Sequence, residues 1–179
     1  MNLIAFFRLL RVYDIISKRF RGDKMNQESF SNQIFLHEQT LYRIAATLLP
    51  RLPDRQDAVQ SALMLAWQSR YGLRDEAFFK PWISKILIRE CYRIQRKLKP
   101  MVLMETLPEG ASFERDESLH EAMMLLPEKQ RITLTLYYIE GMAQDTIADV
   151  LRIPKGTVKS RLNTGRAMLS RILNEEVLL

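Results

Sequence analysis

Residue types that build common catalytic and metal sites are scarce in this chain. Its 179 residues include one cysteine, Cys91, and two histidines, His37 and His120. A single cysteine excludes an internal disulfide and fits a reducing compartment. Three such side chains cannot assemble a Cys/His zinc site, and they give no support to Cys–His nucleophilic catalysis. We therefore predict no metal and no cofactor, and we expect Cys91 to be a small buried side chain of a helix.

Long apolar runs and β-structure signals are also missing. No stretch approaches the roughly 20 apolar residues that span a bilayer, and Asn-Gly or Asp-Gly hairpin dipeptides do not occur. Glycine is absent from residues 73 to 109. Apolar residues recur instead at spacings of three and four, which predicts an all-α fold. The repeating positions are Leu41, Ile44, Ala45 and Leu48, then Ala58, Ala62, Leu65 and Ala66, then Phe79, Trp82, Ile83, Ile86 and Ile94.

Positive charge is in excess and is unevenly placed. The net charge is +6, with +4 in residues 1–24, +5 in 25–100, −4 in 101–118 and +1 in 119–179. The acidic segment also contains Pro108 and Gly110 and has no helical periodicity. We therefore predict two small helical domains, 25–100 and 119–179, joined by a flexible acidic linker over 101–118. The cationic excess favours an acidic partner.

The segment from Pro154 to Leu173 has two distinct faces when it is drawn as a helix. At 100° per residue its apolar positions fall on one side: Val158, Leu162, Gly165, Leu169 and Ile172. The opposite side carries Ser160, Asn163 and Thr164, with Thr157 beside them. Lys155, Lys159 and Arg166 form a ridge along one flank. Such a helix is expected to pack through its apolar stripe and to present its other face to an anionic partner.

A short helix with inward-facing Ile147, Val150 and Leu151 precedes this segment, and only residues 152–154 separate the two. Two helices joined by so short a turn predict a helix-turn-helix, whose second helix enters the major groove of DNA. Cations on its flank would meet phosphates, while Ser, Thr and Asn would hydrogen-bond to bases or backbone. The alternative is a surface helix pair with solvated cations. The short turn, the hydroxyl face and the ordered ridge together favour DNA.

Residues 125–169 resemble region 4 of the extracytoplasmic-function (ECF) sigma factors of bacterial RNA polymerase, within the sigma-70 family. The matching landmarks are Leu126-Pro127-x-x-x-Arg131, Glu140-Gly141, Ile147-Ala148 and the run from Gly156 to Arg161. The resemblance implies that residues 119–179 read the −35 promoter element and touch the polymerase β flap. The DNA-binding positions would be Lys155, Thr157, Lys159, Ser160, Arg161, Asn163, Thr164 and Arg166. Two departures stand out, because Arg152 replaces the usual turn glycine and Ala143 replaces a serine cap.

Residues 41–100 resemble ECF region 2. The landmarks are Leu41-Tyr42-Arg43, Asp57-Ala58-x-Gln60, Ala66-Trp67 and Phe79-Lys80-Pro81-Trp82. The resemblance implies that residues 25–100 bind core polymerase and the −10 element. It places the helix from Asp57 to Trp67 on the clamp helices of the β′ subunit. The contact residues would be Asp57, Gln60 and Gln68.

The helix that follows Pro81 carries a dense set of cations. Seven lie within residues 80–99, where only Glu90 opposes them. Basic side chains hold phosphates and aromatic rings stack on unpaired bases, which suits a strand being separated from its partner. We predict contacts with the −10 element and the melted strand for Lys80, Trp82, Lys85, Arg89, Arg93, Arg96 and Lys97. Trp82 also fits the core, as does Phe79. Arg89 and Arg93 stand where many relatives have Asn and Asp, so no promoter sequence is inferred.

The resemblance implies a transcription initiation factor whose two domains read two promoter elements at once. Tethering on polymerase makes the second contact intramolecular and multiplies the affinity. It also implies that this chain performs no catalytic step, takes no small-molecule substrate and acts in the cytoplasm. An anti-sigma factor is a further implied partner, because many relatives are held inactive by one that is often anchored in the membrane. Two alternatives stay open: a helix-turn-helix regulator that acts without polymerase, and a helical adaptor for an acidic protein. An enzyme lacks support, because no convergent acid–base or nucleophile set can be named.

Residues 1–24 lie outside both resemblances. They are apolar and basic, are interrupted by Arg8, Arg11 and Asp14, and lack the basic start and cleavage site of a signal peptide. One hypothesis makes them a helix on the membrane surface. The other is that the natural protein starts at Met25.

Overall fold

The computed structural model describes residues 25–73, 75–98 and 117–176. The helices in these ranges are α1 (Gln27–Leu48), α2 (Leu52–Ser69), α3 (Phe79–Leu98), α4 (Glu117–Leu125), α5 (Glu128–Leu134), α6 (Gln144–Leu151) and α7 (Lys155–Glu176). Short 3₁₀ turns at Arg70–Gly72 and Glu76–Phe78 lead from α2 into α3. The described residues contain no strand, so the all-α prediction is confirmed. The predictions for residues 1–24 and for nearly all of the linker fall outside the described residues.

Helices α1 to α3 form the first unit around an aromatic centre. Asn26 caps α1, because its Oδ1 accepts a hydrogen bond from the Ser29 N–H at 2.8 Å. The buried Phe30 ring meets the rings of Trp67 and Phe79 edge-on, with centroids 5.2 and 5.8 Å apart. Edge-on contacts of this kind are favourable for aromatic rings. This cluster joins all three helices.

The apolar positions that repeat along the sequence of this unit are buried or half-buried with one exception. Leu65 shares their helical spacing but is 42% exposed. The buried side of α2 is centred near Ala62 and Ala66 and reaches round to Trp67. Leu65 lies just beyond the opposite edge of that face, whereas Met64, which is also exposed, lies on the side of α2 that points away from it. Cys91, in contrast, is fully buried in α3, as predicted.

Helices α4 to α7 form the second unit. Helix α5 continues through a π-helical turn at Thr135–Ile139, where the Glu140 N–H donates to the Thr135 carbonyl. Gly141 then takes a φ of +66°, which a residue without a Cβ adopts most easily. The chain leaves the π turn with Tyr138 and Ile139 exposed and with Glu140 buried.

The two units pack against each other. Helix α5 lies on α1 and helix α6 lies on α3, and the buried apolar residues form one cluster that runs from Met25 to Leu162. Polar contacts also cross the boundary: Arg131 Nε donates to the Thr47 carbonyl at 2.9 Å, and Gln95 Nε2 donates to Glu128 Oε2 at 2.6 Å. The sequence predicted the two units but not this closed arrangement.

Candidate nucleic-acid interface

Helices α6 and α7 adopt the predicted helix-turn-helix. Ile147 and Val150 of α6 are buried, as are Val158 and Leu162 of α7. Between the helices, Arg152 takes a left-handed conformation with φ 55° and ψ 49°, and the Ile153 N–H donates to the Ala148 carbonyl at 3.0 Å. Ala143 begins α6 without a side-chain cap. Both departures noted in the sequence are therefore accommodated, at the cost of a strained residue and a missing hydrogen bond.

The outer face of α7 is open to solvent over its first three turns. Its exposed side chains are those of Lys155, Lys159, Ser160, Asn163, Thr164 and Arg166, with Thr157 half-exposed. Lys155 Nζ lies 2.8 Å from Asp145 at the start of α6, and the Arg166 guanidinium donates to Asn163 Oδ1. Cations therefore border a face of small hydrogen-bonding groups. This arrangement can meet phosphates at its edge and base edges at its centre.

Arg161 differs from the other predicted α7 positions. It is half-buried on the other side of the apolar stripe, near enough to α3 for its charge to act on Tyr92. Burial raises the pKa of Tyr92, Glu128 adds to that rise, and Arg161 opposes it. In the closed arrangement Arg161 thus faces the boundary between the units.

One stripe of α3 gathers five of the seven predicted −10 positions. At 100° per residue, Trp82, Lys85, Arg89, Arg93 and Arg96 fall within about 80° of helix surface. Arg89 and Arg96 are exposed, and the other members of the stripe are half-exposed. Lys97 is also exposed but lies outside the stripe, about 100° from Arg96. The Arg93 guanidinium pairs with Glu90 at 2.7 Å. Three of these arginines, Arg89, Arg93 and Arg96, also line a cleft of about 790 Å³ beside the end of α1.

Lys80 lies away from this stripe and contacts the second unit. Its Nζ donates to the backbone carbonyl of Glu140 at 2.7 Å and lies 3.0 Å from Glu140 Oε2. The sequence contained a signal of this placement, because Lys80 shares its helix face with the buried Ser84, Leu87 and Cys91. Its contact with DNA remains a prediction, for a state in which this pair is broken.

Glu140 is the most heavily bonded buried acid among the described residues. Its side chain has 0% exposure, and it accepts from Arg43 Nε at 2.7 Å and from Thr40 Oγ1 at 2.8 Å, besides Lys80. Burial alone would raise the pKa of Glu140. The hydrogen bonds from Arg43, Lys80 and Thr40 outweigh burial and hold the pKa below its ordinary value. The acid is therefore a carboxylate at neutral pH.

The outer face of α2 carries the three predicted polymerase-binding residues. Asp57 and Gln68 are exposed and Gln60 is half-exposed, and all three lie within about 80° of the helix surface. Met64 lies between them and is 41% exposed. Sequence reasoning missed Met64, although its spacing of seven from Asp57 and four from Gln68 places it on this face.

The second unit also has an apolar groove that sequence reasoning did not find. Its volume is about 930 Å³. Apolar side chains from four elements line it, including Leu119, Leu134, Ile139 and Leu169. Three arginines also line it: Arg131 and Arg166 of the second unit and Arg43 of the first. The groove depends on the π turn, which directs Tyr138 and Ile139 outward. No periodic pattern in the sequence signals that change of helix register.

No cluster of His, Cys, Asp and Glu in the described ranges could hold a metal ion. In the same residues, no helix is long and apolar enough to cross a bilayer.

Comparisons with known proteins place both units in one class. Residues 35–100 match the model of Sigma-70 region 2, and residues 116–169 match that of Sigma-70, region 4. The ECF RNA polymerase sigma factor SigW of Bacillus subtilis (strain 168) is 25% identical over 183 residues, covering 90% of this chain and 98% of that protein. The RNA polymerase sigma factor SigV of the same organism is 30% identical over 146 residues, which cover 78% of this chain and 88% of SigV.

The fold agrees with a solved structure. The sigma factor RpoE of Bartonella quintana, in complex with the anti-sigma factor NepR, matches with a TM-score of 0.73 over 82% of this chain and 98% of that chain, at 24% identity. Sigma-70 region 2 followed by sigma-70 region 4 defines the RNA polymerase sigma factors, a class of transcription initiation factors. This chain belongs to that class as a member of the sigma-70 family of RNA polymerase sigma factors, in its extracytoplasmic-function (ECF) group.

Proposed function

We propose that this chain binds core RNA polymerase and directs it to promoters by reading the −10 and −35 elements with its two units. The observation that carries the proposal is the two-sided form of α7, which is buried along its apolar stripe and presents hydroxyl, amide and cationic groups outward. A merely structural helix would gain nothing from an ordered cationic border.

Helix α7 reads the −35 element by entering the major groove with its N-terminal half. Ser160, Asn163 and Thr164 lie at the centre of the exposed face and contact base edges or the backbone. Lys155, Lys159 and Arg166 lie at its border and contact phosphates. Asp145 holds Lys155 in place through their 2.8 Å pair. Arg161 joins the DNA contacts once the boundary between the units opens.

The α3 stripe and the neighbouring Lys97 bind the −10 element. Lys85, Arg89, Arg93, Arg96 and Lys97 supply phosphate contacts, and the half-exposed Trp82 ring supplies a face on which an unpaired base can stack. The Trp82 ring also packs against Phe79, with centroids 5.6 Å apart. That contact fixes the orientation of the ring, so stacking would cost little side-chain entropy.

Two surfaces bind the polymerase. The outer face of α2, with Asp57, Gln60, Met64 and Gln68, docks on the β′ clamp helices. Its exposed methionine supplies apolar area within a polar border, as at other protein interfaces. The apolar groove of the second unit receives the β flap, and its arginines favour an element with acidic flanks.

Other partners follow from the family. RpoE was solved with the anti-sigma factor NepR, and CnrH with the cytosolic domain of CnrY. We propose that an anti-sigma factor likewise controls this chain, which acts in the cytoplasm. The chain takes no small-molecule substrate and performs no chemical step, because RNA synthesis is the work of the polymerase.

Run-off transcription with core polymerase on a genomic library, followed by mapping of RNA start sites, tests the proposal. We expect initiation at a small set of promoters with shared sequences near −10 and −35. The double variant Ser160→Ala/Asn163→Ala should lose selectivity at the −35 positions and keep co-elution with polymerase. A chain that fails to co-elute, or that starts RNA no more selectively than core polymerase alone, contradicts the proposal.

Core binding has its own test on α2. The double variant Asp57→Ala/Gln68→Ala should weaken binding to core polymerase by about 1–3 kcal/mol in total, roughly 5- to 150-fold. Ser69→Ala is the matched control, because Ser69 is exposed and points about 120° from Asp57 and about 180° from Gln60. Equal affinities of the double variant and the control would remove α2 from the polymerase interface.

A further inference from the structure

The closed arrangement is incompatible with reading two promoter elements at once. The −10 and −35 elements are separated by about 25 base pairs, which is roughly 85 Å along B-DNA at about 3.4 Å per step. In the structure α6 packs on α3 and α7 packs on α6. The two reading helices are thus joined through one intervening helix, about 10 Å wide. The closed arrangement must therefore open before promoter recognition, a conclusion that rests on the proposed function.

We propose that the buried carboxylate of Glu140 is a latch that holds the two units of the sigma factor closed, and that its release frees Lys80 for DNA. The second unit supplies the acid, and the first unit supplies every cation that contacts it. Arg43 Nε lies 2.7 Å from Oε1 and Lys80 Nζ lies 3.0 Å from Oε2. Thr40 Oγ1 donates to Oε2 at 2.8 Å. Breaking these contacts removes the charged link between the units and leaves the ion pairs inside each unit intact, such as Arg51–Asp54 and Lys155–Asp145.

The chemistry of the latch makes it reversible. In a buried ion pair the Coulomb attraction roughly offsets the hydration free energy that the two charges lose. Complete separation of the pair into water therefore has a modest net cost. Removing only one partner is far more costly, since it leaves a buried charge unpaired. Arg43 and Lys80 are 26% and 29% exposed, so water reaches the cations while the acid stays covered. The ion pairs of Glu140 therefore favour one relative placement of the two units and still allow the units to separate.

The apolar contact between the units does not give the same specificity. Apolar burial is non-directional and favours any packing that covers the same area. The Glu140 carboxylate contacts three separate donors of the first unit, and only one relative placement of the two units brings all three within reach. Polymerase and DNA would shift the population to the open form by binding it better than the closed form. Lys80 makes the competition direct, because a phosphate and Glu140 use the same ammonium group.

A distance measurement on the full-length chain tests the latch. Spin labels at Gln56→Cys in α2 and Ala167→Cys in α7 report the separation of the units, since both positions are exposed. Cys91 can remain, because burial raises the pKa of its thiol to about 12 and leaves almost no reactive thiolate at pH 7.5. We expect pulsed EPR to show one short distance in the parent chain and a second, longer population in Glu140→Gln.

Two further variants separate the latch from a general loss of stability. Arg43→Gln removes a partner from the other unit and should open the chain as Glu140→Gln does. Arg51→Gln is the matched control, because it removes an arginine that pairs only within the first unit, with Asp54 at 3.7 Å; it should keep the short distance. Helical content, followed by far-UV circular dichroism, should stay within about 10% of the parent. Should Glu140→Gln lose helicity, Arg43→Gln decides the question by itself.

Promoter binding without polymerase supplies the functional readout. Both opening variants should bind a duplex carrying the −10 and −35 elements on the order of tenfold more tightly than the parent, a typical size for coupling between sites. Arg51→Gln should match the parent. Unchanged distances and affinities in both Glu140→Gln and Arg43→Gln overturn the latch. A chain that opens in these variants but directs no promoter-specific transcription overturns the proposed function and leaves the latch standing.

Discussion

Arg131 Nε of region 4 donates a hydrogen bond to the Thr47 carbonyl of region 2, 2.9 Å away. Helix α1 has no basic residue in its own last turn, where its final carbonyls lack helical partners. The same guanidinium donates from NH1 to the Met124 carbonyl at 2.7 Å. One arginine thus stabilises the junction of α4 and α5 and the end of α1 together. Part of the contact between the units is therefore built on a side chain that region 4 needs for its own fold.

Replacing Arg131 by lysine should lower the free energy of unfolding by about 1–3 kcal/mol. A lysine ammonium lacks the planar fork that serves several carbonyls at once, so buried acceptors lose their donors. Urea unfolding followed by circular dichroism measures the change. The matched control is Arg171→Lys on the exposed side of α7, which should stay within about 0.5 kcal/mol of the parent. Equal losses in both variants would show that Arg131 has no special structural role.

Gly165 should resist replacement by alanine. A Cβ at this position would lie 3.0 Å from Leu134 Cδ1 and 3.3 Å from Gln130 Cβ, and Leu134 is itself buried. Overpacking costs about 1–3 kcal/mol, and three contacts of 3.0–3.3 Å against the Leu134 and Gln130 side chains place this one at about 2 kcal/mol. That cost is larger than the gain of roughly 1 kcal/mol from the better helix propensity of alanine. Gly156→Ala meets nothing within 4 Å and should stabilise the protein. Thermal unfolding of the two variants should therefore shift in opposite directions.

Arg152 offers a gain in stability at the turn of the helix-turn-helix. Its φ of 55° costs a residue with a Cβ about 1–2 kcal/mol, whereas glycine adopts this conformation freely. Glycine also adds entropy to the unfolded chain, so the net gain of Arg152→Gly should be about 0.5–1 kcal/mol. Glycine inside an exposed helix has the opposite effect, and Arg171→Gly should lose about 1 kcal/mol. A loss in Arg152→Gly would mean that the arginine side chain stabilises the turn.

The salt dependence of promoter binding tests the α3 stripe. Arg93→Ala should lower the slope of log affinity against log salt by roughly one, the loss expected for one phosphate contact. The measurement uses the chain bound to core polymerase on a promoter duplex at 50–200 mM salt, roughly the range over which such slopes are read. Arg51→Ala removes an arginine outside the stripe and should leave the slope unchanged. If Arg93→Ala also leaves it unchanged, Arg93 does not contact DNA.

Local sequence periodicity was sufficient for the helices and the helix-turn-helix. The stripe from Val158 to Leu162 and the buried Ile147 follow from spacings of three and four, because a helix repeats every 3.6 residues. The contact between the units could not be predicted in this way. It depends on single polar residues such as Glu140 and Arg43, which are 97 positions apart and carry no periodic signal. The π turn likewise leaves no mark in the pattern, yet it positions both Glu140 and the apolar groove.

Two side chains at the boundary between the units should make stability fall in two separate steps as the pH is lowered. His37 stacks on Phe79 with ring centroids 5.9 Å apart and faces Lys80 and Glu140. Burial and then the charge of Lys80 lower the pKa of His37 below 6.5, against the opposing effect of Glu140. The unfolded chain thus takes up a proton first, and the free energy of unfolding falls as the pH drops below about 6.5.

The second step belongs to Glu140, whose pKa lies below its ordinary 4.5 because the donors Arg43, Lys80 and Thr40 outweigh burial. Its contribution is complete above pH 4.5 and is lost as the pH falls further, through the lowered pKa of the folded state. Urea unfolding at intervals between pH 7.5 and 3.5 measures both steps. His37→Gln should remove the first step and keep the second. Survival of the first step in His37→Gln would assign it to another group.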